Sequence, residues 1–101
     1  MALQSLTATF SVDTKHGDKL EFVLSDGDCD QYDYYVCKLW AMLCESLRGS
    51  GGVLCECSHY GDVLFTIEFT NIEDLPLIST IFENTVKHWC VQCGINKMKT
   101  S

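Results

Sequence analysis

Positive charge is scarce in this chain of 101 residues. Lysine and arginine number 7 against 14 aspartates and glutamates, which gives a formal net charge of -7. Binding to nucleic acid through phosphate neutralisation needs clustered Lys and Arg, so the composition argues against a nucleic-acid-binding protein. The same imbalance is compatible with a basic protein partner, because opposite surface potentials speed encounter. It is equally compatible with a role in solubility alone.

Long apolar runs and targeting patterns are also missing. The sequence has no apolar stretch long enough to span a membrane, and MALQSLTATF lacks a basic segment followed by an apolar one. We therefore expect no membrane association, no signal peptide and a cytoplasmic location. The chain has 7 cysteines, and this odd number favours reduced thiols that pack as small apolar side chains over a disulfide scaffold.

Motifs typical of an active site are the third absence. The sequence contains no nucleophile elbow, no phosphate-binding glycine loop and no His-Glu-x-x-His pattern. We therefore predict that the protein is not an enzyme. We also predict no catalytic residues, no cofactor and no metal.

The apolar residues that are present make up 47% of the chain, which is enough for the core of one domain. Their alternation predicts a first β-hairpin in which Val12 lies opposite Leu20 and Phe10 lies opposite Phe22. A three-residue loop that ends at Gly17 closes it, because such loops favour a left-handed residue at that place.

A second hairpin follows the same turn pattern over residues 52–58 and 62–70, closed between Ser58 and Asp62. This register predicts that Leu54 faces solvent. The positions predicted to face inward include two cysteines, Cys55 and Cys57.

A helix is predicted after each hairpin, over about residues 31–48 and 75–93, because apolar residues recur there at helical spacing. Two amphipathic helices need an apolar sheet face to cover. We therefore predict an α+β two-layer sandwich in ββαββα order, with a four-stranded, mainly antiparallel sheet and both helices on one face. Residues 1–94 form this single domain, and residues 95–101 are predicted to be a frayed tail.

Residues 26–33, which read DGDCDQYD, concentrate negative charge before the first helix. Asp30 suits the N-cap and Asp33 the first turn, where carboxylates stabilise the helix. Asp26 and Asp28 lie beyond the turn that benefits. An EF-hand loop is not predicted, since its glycine and bidentate glutamate are missing.

These acids are the predicted partner-binding surface, together with two at the start of the second helix. They would form one patch if both helix starts lay at the same edge of the sheet. The full set is Asp26, Asp28, Asp30, Asp33, Glu73 and Asp74.

The function predicted from these features is that of a small acidic protein-binding domain. It would inhibit or neutralise a basic partner, such as a nuclease or another nucleic-acid-binding protein, in the manner of an immunity protein, an antitoxin or a phage anti-defence protein. This prediction is an analogy from size and charge.

Two alternatives stay open. The first is a zinc-binding or redox protein, because thiolates and imidazoles are zinc ligands, although the strand and helix periodicity favours core thiols. Its candidate residues are Cys55, Cys57, His59, Cys90 and Cys93. The second alternative is a homodimeric structural module that associates through the solvent face of the sheet.

Overall fold

The computed structural model of this protein describes residues 4–13, 17–25, 31–59 and 62–100. It contains five strands and two α-helices, and a short 3-10 turn at Ile72–Asp74 precedes the second helix. The strands are β1 (Gln4–Asp13), β2 (Lys19–Ser25), β3 (Gly52–His59), β4 (Asp62–Phe69) and β5 (Ile95–Thr100). The helices are α1 (Tyr32–Ser46) and α2 (Leu75–Cys93). No helix within the described ranges is long and apolar enough to cross a membrane.

The strands form a single sheet in the order β3-β4-β2-β1-β5. The first four are antiparallel to their neighbours, and β5 pairs with β1 in parallel. The predicted α+β sandwich in ββαββα order is confirmed, and β5 extends its four-stranded sheet by one strand. The first hairpin has the predicted register, with Val12 opposite Leu20 and Phe10 opposite Phe22.

Both helices cover one face of this sheet and enclose the core between the layers. The largest fully buried side chains come from both layers, which shows that the helical stripes and the inward strand positions meet. They are Trp89, Phe65, Leu20, Leu24, Leu39, Leu43, Ile67 and Ile78. The ring of Phe82 on α2 packs edge-on against Phe22 of β2, with the ring centroids 5.2 Å apart.

Two hydrogen bonds from buried aromatic side chains fix α1 in place. The Tyr32 hydroxyl donates to the backbone carbonyl of Leu24 and ties the start of α1 to the end of β2. The indole N–H of Trp89 on α2 donates to the carbonyl of Tyr35 on α1 at 2.9 Å. The orientation of α1 is therefore set by contacts to both the sheet and the other helix.

The expectation of a frayed tail is wrong for Ile95–Thr100, which forms β5. Gly94 ends α2 in the left-handed conformation, with a φ of 68°, and turns the chain back towards the sheet. Ile95 is then buried, and the following residues pair with β1. The two lysines of this segment, Lys97 and Lys99, suggested a solvated tail, but lysine is also common on an edge strand.

The predicted register of the second hairpin is wrong by one residue. The closing pair is His59 with Asp62, so two residues rather than three separate the strands. A one-residue shift moves every side chain of a strand to the other face. Leu54 consequently lies opposite Ile67 and packs against the core, while Cys55 lies opposite Thr66 on the uncovered face.

Candidate functional site

Three of the six predicted partner-binding acids, Asp26, Asp28 and Asp30, lie outside the described residues. Asp33 is exposed in the first turn of α1. Glu73 is exposed and Asp74 is half-buried in the 3-10 turn that leads into α2. Their role in partner binding remains a prediction.

The two helix starts lie at opposite ends of the sheet, so the described acids do not form one patch. Helix α1 follows the end of β2, where Leu24 pairs with Val63 at the start of β4. Helix α2 follows the end of β4. Asp74 there lies beside Gly51, because a Cβ added to Gly51 would come within 2.6 Å of the Asp74 Oδ2 atom. Asp33 is therefore separated from Asp74 by the length of the strands.

Strand β3 forms one edge of the sheet, and no described strand pairs with its outer side. Edge strands usually carry charged side chains, above all lysine, or a proline or a bulge that prevents pairing with another chain. β3 has neither lysine nor proline, and its pairing with β4 runs without a register shift. The opposite edge, β5, contains Lys97 and Lys99, and its pairing with β1 shifts register between Gln4 and Ser5. Of the two edges, β3 is the less protected, since a single acid, Glu56, is its only Asp, Glu, Lys or Arg residue.

The direction of the backbone groups along β3 follows from one hydrogen bond. The N–H of Phe69 donates to the carbonyl of Asp18 at 3.0 Å, on the β2 side of β4. Bonding direction alternates along a strand, so Glu68 bonds to the β3 side, where it pairs with Val53. Val53 and every second residue after it therefore bond to β4. After Gly52, the residues that direct their N–H and C=O groups away from β4 are Leu54, Glu56 and Ser58.

Helix α1 covers the sheet beside this edge and presents one flank to it. Trp40 packs against Phe65 of β4, with the ring centroids 6.3 Å apart. The other flank faces α2, where the Tyr35 carbonyl accepts the bond from Trp89. We call the side of α1 that points away from α2 the outer flank. Its residues recur at helical spacing and are Asp33, Cys37, Trp40 and Cys44.

Two thiols on the outer flank are exposed, those of Cys37 and Cys44. The prediction that most cysteines pack in the core does not hold for these two. A signal was present, since both fall off the apolar stripe of α1 that contains Val36, Leu39 and Leu43.

The thiols of α2 have a different environment. Cys90 and Cys93 are half-buried and pack against the core. Burial raises the pKa of the Cys90 thiol, and the neighbouring Cys93 adds to that rise. A thiol with a raised pKa is a weak nucleophile at neutral pH, because the thiolate is the reactive form.

The zinc-site residues do not come together where their side chains are described. Cys55 lies on the uncovered face of the sheet, whereas Cys90 and Cys93 lie on the helix that covers the other face. The side chains of Cys57 and His59 lie outside the described part. No group of three or more His, Cys, Asp or Glu side chains with metal-binding geometry occurs among the described residues.

A cleft of about 520 Å³ opens at the Gly51 end of β3. The starts of β2 and β3 and the end of β4 form its walls. Val53, which is 62% exposed, supplies an apolar wall, while Asp18 and Glu68 supply carboxylates. The cleft and the β3 edge are continuous, since Val53 belongs to both.

Comparison with known proteins gives a match in fold alone. No family model matches the chain, and the search of curated proteins finds no match. The fold is similar to the crystal structure of an essential ribosomal processing protease, Prp, from S. aureus in complex with a substrate peptide. The TM-score is 0.51 at 11% sequence identity, and the alignment covers 95% of this chain and 97% of that chain.

This similarity overturns the predicted function. The prediction of an inhibitor of the immunity-protein, antitoxin or phage anti-defence type is wrong, because the fold is similar to that of a protease solved with a substrate peptide. A basic nuclease as the partner has no support either. The prediction rested on size and net charge, and these quantities describe solubility and encounter but do not specify a site.

Proposed function

We propose that this chain binds a peptide segment of a protein partner. The observation that carries the proposal is the strip formed by the unpaired β3 edge and the outer flank of α1. Such a strip offers backbone bonding groups and an apolar surface side by side, which is what recognition of an extended peptide uses. The similar fold of a protease that was solved with a substrate peptide also supports peptide binding.

Selection from a phage-displayed library of random linear peptides tests this proposal. We expect linear sequences to be enriched and to bind as synthetic peptides in a fluorescence anisotropy titration. A library selection that yields no binding peptide would contradict the proposal.

A second candidate function is cleavage of the bound peptide, and the exposed thiol of Cys37 favours it. In such a reaction the thiolate attacks the peptide carbonyl, and the C–N bond breaks as the amine leaves with a proton from water. A further water then hydrolyses the thioester, which releases the carboxylic acid and restores the thiol. Cys37 is a better nucleophile candidate than Cys44. It lies in the second turn of α1, nearer the positive N-terminal end of the helix, whereas Cys44 lies in the last turn, at the negative end.

Peptide binding ranks above cleavage because cleavage also needs a general base beside the thiol. His88 is the histidine whose side chain is described, and it lines the groove between α2 and Met42 of α1. That groove is on the opposite flank of α1 from Cys37. The described residues therefore place no imidazole beside this thiol.

Incubation of the selected peptides with the reduced protein, followed by mass spectrometry, tests the cleavage function. If the thiol of Cys37 is the nucleophile, Cys37→Ala abolishes product formation, while the matched variant Cys44→Ala retains it. Equal loss in both variants, or intact peptides with the unmodified protein, would refute the assignment. A reducing compartment such as the cytoplasm belongs to the same proposal, because the reaction needs a free thiol.

A further inference from the structure

We infer that the partner segment binds as an added β-strand on the free edge of β3, with an apolar side chain on the covered face beside Leu54. This inference rests on the proposed function and names the binding mode and the kind of segment. Its elements are the backbone groups of β3, the absence of lysine, proline and a bulge from this edge, and the apolar side chains of Leu54 and Trp40 beside it.

The backbone groups dictate an extended occupant. Leu54, Glu56 and Ser58 direct their N–H and C=O groups away from β4, at the two-residue spacing of a strand. The start of β3 supports this alternation of bonding directions, because the Gly52 N–H bonds to the Ser50 Oγ atom at 3.2 Å rather than to β4. A helix satisfies its own backbone groups, whereas an extended segment can bond to all three residues.

The apolar surface beside the edge indicates which side chains the segment carries. Leu54 is half-buried on the covered face, and Trp40 of α1 is half-buried above the neighbouring strand. An added strand directs alternate side chains to this face, where an apolar group beside Leu54 removes Leu54 and Trp40 from water. The next β3 position of the same parity is Glu56, so apolar character is required only beside Leu54. The intervening side chains point to the uncovered face beside Val53 and Cys55, next to Thr66 and Glu68, and can be polar.

The length of the edge sets the length of the segment. The three residues whose backbone groups point away from β4 span five positions of β3. At roughly 3.3 Å per residue, a segment of about five to seven residues matches this length. At the Gly51 end, the same segment reaches the cleft that contains Val53, Asp18 and Glu68. At the other end it approaches the start of α1, because β3 runs antiparallel to β4, whose first residues pair with the end of β2.

Amide hydrogen exchange measured by NMR tests the inference directly, with a peptide selected from the random library as the probe. Without peptide, the amides of Leu54 and Glu56 exchange rapidly, while that of Cys55, which bonds to β4, is protected. We expect the peptide to slow exchange at Leu54 and Glu56 by at least about tenfold, with little change at Cys55. Binding that leaves Leu54 and Glu56 unchanged would refute the added strand and leave the proposed function standing.

Backbone N-methylation of the peptide provides a test that does not depend on a protein variant. A strand added at an edge uses only every second peptide N–H. Peptides methylated at one alternating set of amides should bind about as well as the parent. Those methylated at the other set should lose about five- to tenfold in affinity for each bond removed. Equal affinity of the two series would overturn the inference.

A variant of the edge strand and its matched control test the same backbone bonds from the protein side. Glu56→Pro removes one outward N–H from the edge, where proline is tolerated, and Glu56→Ala keeps that N–H. We expect the proline variant to bind at least about fivefold more weakly than the alanine variant. Equal affinity would count against the inference, and the methylated peptides decide it if the proline variant does not fold.

Two further outcomes are informative. If no linear peptide binds at all, the proposed function fails and this inference fails with it. If Leu54 and Glu56 are protected without peptide in a dimer, a second copy of the chain occupies the edge, and the inference of a foreign segment is overturned.

Discussion

Replacing Trp89 by phenylalanine should destabilise the protein by about 2–3 kcal/mol. Trp89 is fully buried, and its indole N–H donates to the Tyr35 carbonyl at 2.9 Å, across the interface between the two helices. Loss of that hydrogen bond costs about 1 kcal/mol. The smaller phenylalanine ring leaves a cavity that adds about 1–2 kcal/mol, below the roughly 3–5 kcal/mol of a full truncation to alanine. The contact matters for the site because it helps to set the orientation of α1 beside β3.

Urea unfolding followed by tryptophan fluorescence measures this loss, since Trp40 remains as a probe in Trp89→Phe. The matched variant Trp40→Phe keeps the interhelical bond and replaces a half-buried indole by a smaller ring, so it should lose about 1 kcal/mol or less. The slope of the free energy against urea concentration should stay the same in both variants, because the unfolded chain exposes similar surface. A loss below about 0.5 kcal/mol in Trp89→Phe, within the range of ordinary surface substitutions, would refute the role assigned to this contact.

Three other predictions concern the C-terminus of α2, the buried thiol and the register of β3. Gly94→Ala should destabilise the protein by about 1 kcal/mol in urea unfolding, because Gly94 has a φ of 68° that alanine adopts at a cost; an unchanged midpoint would contradict the left-handed cap. The pKa of Cys90 is raised above its ordinary value of 9.0 in the folded protein, so its stabilising contribution is complete below pH 9.0 and is lost as the pH rises through the raised value. At pH 8, iodoacetamide should therefore modify Cys37 faster than Cys90 in a mass-spectrometric time course, and the reverse order would be inconsistent with the burial described. Leu54→Lys should reduce stability by more than about 1 kcal/mol in urea unfolding, while Cys55→Lys should have a smaller effect, because Leu54 faces the covered side; the opposite ranking would restore the register with three loop residues.

The elements of this fold are predictable from the sequence because the apolar periodicity is regular. Alternation in the first hairpin fixes the pairing of Phe10 with Phe22, and the stripe of α2 fixes its extent at Leu75–Cys93. Both patterns depend on local spacing, which the sequence displays directly.

The register of the second hairpin could not be settled in the same way. Leu54 and Cys55 are both apolar enough to face a core, so alternation fits two registers that differ by one residue. The register depends on the length of the loop between the strands. The pairing of His59 with Asp62 gives a loop of two residues.

The parallel strand β5 was missed for a related reason. Its residues pair with β1, which is about 90 positions earlier in the chain, and local periodicity does not report such distant pairing. The candidate site was missed because it consists mainly of a strand edge, and whether a strand lies at an edge follows from the strand order alone. The acids of residues 26–33 attracted attention by their charge, whereas the edge has no compositional mark except the absence of lysine and proline from β3.

The central claim is that a linear segment of a partner protein binds along β3. The most direct measurement is amide exchange at Leu54 and Glu56, recorded with and without a selected peptide at saturating concentration. The account predicts slower exchange at both amides in the complex, with Cys55 unchanged. Saturated binding without any change at Leu54 and Glu56 would contradict it.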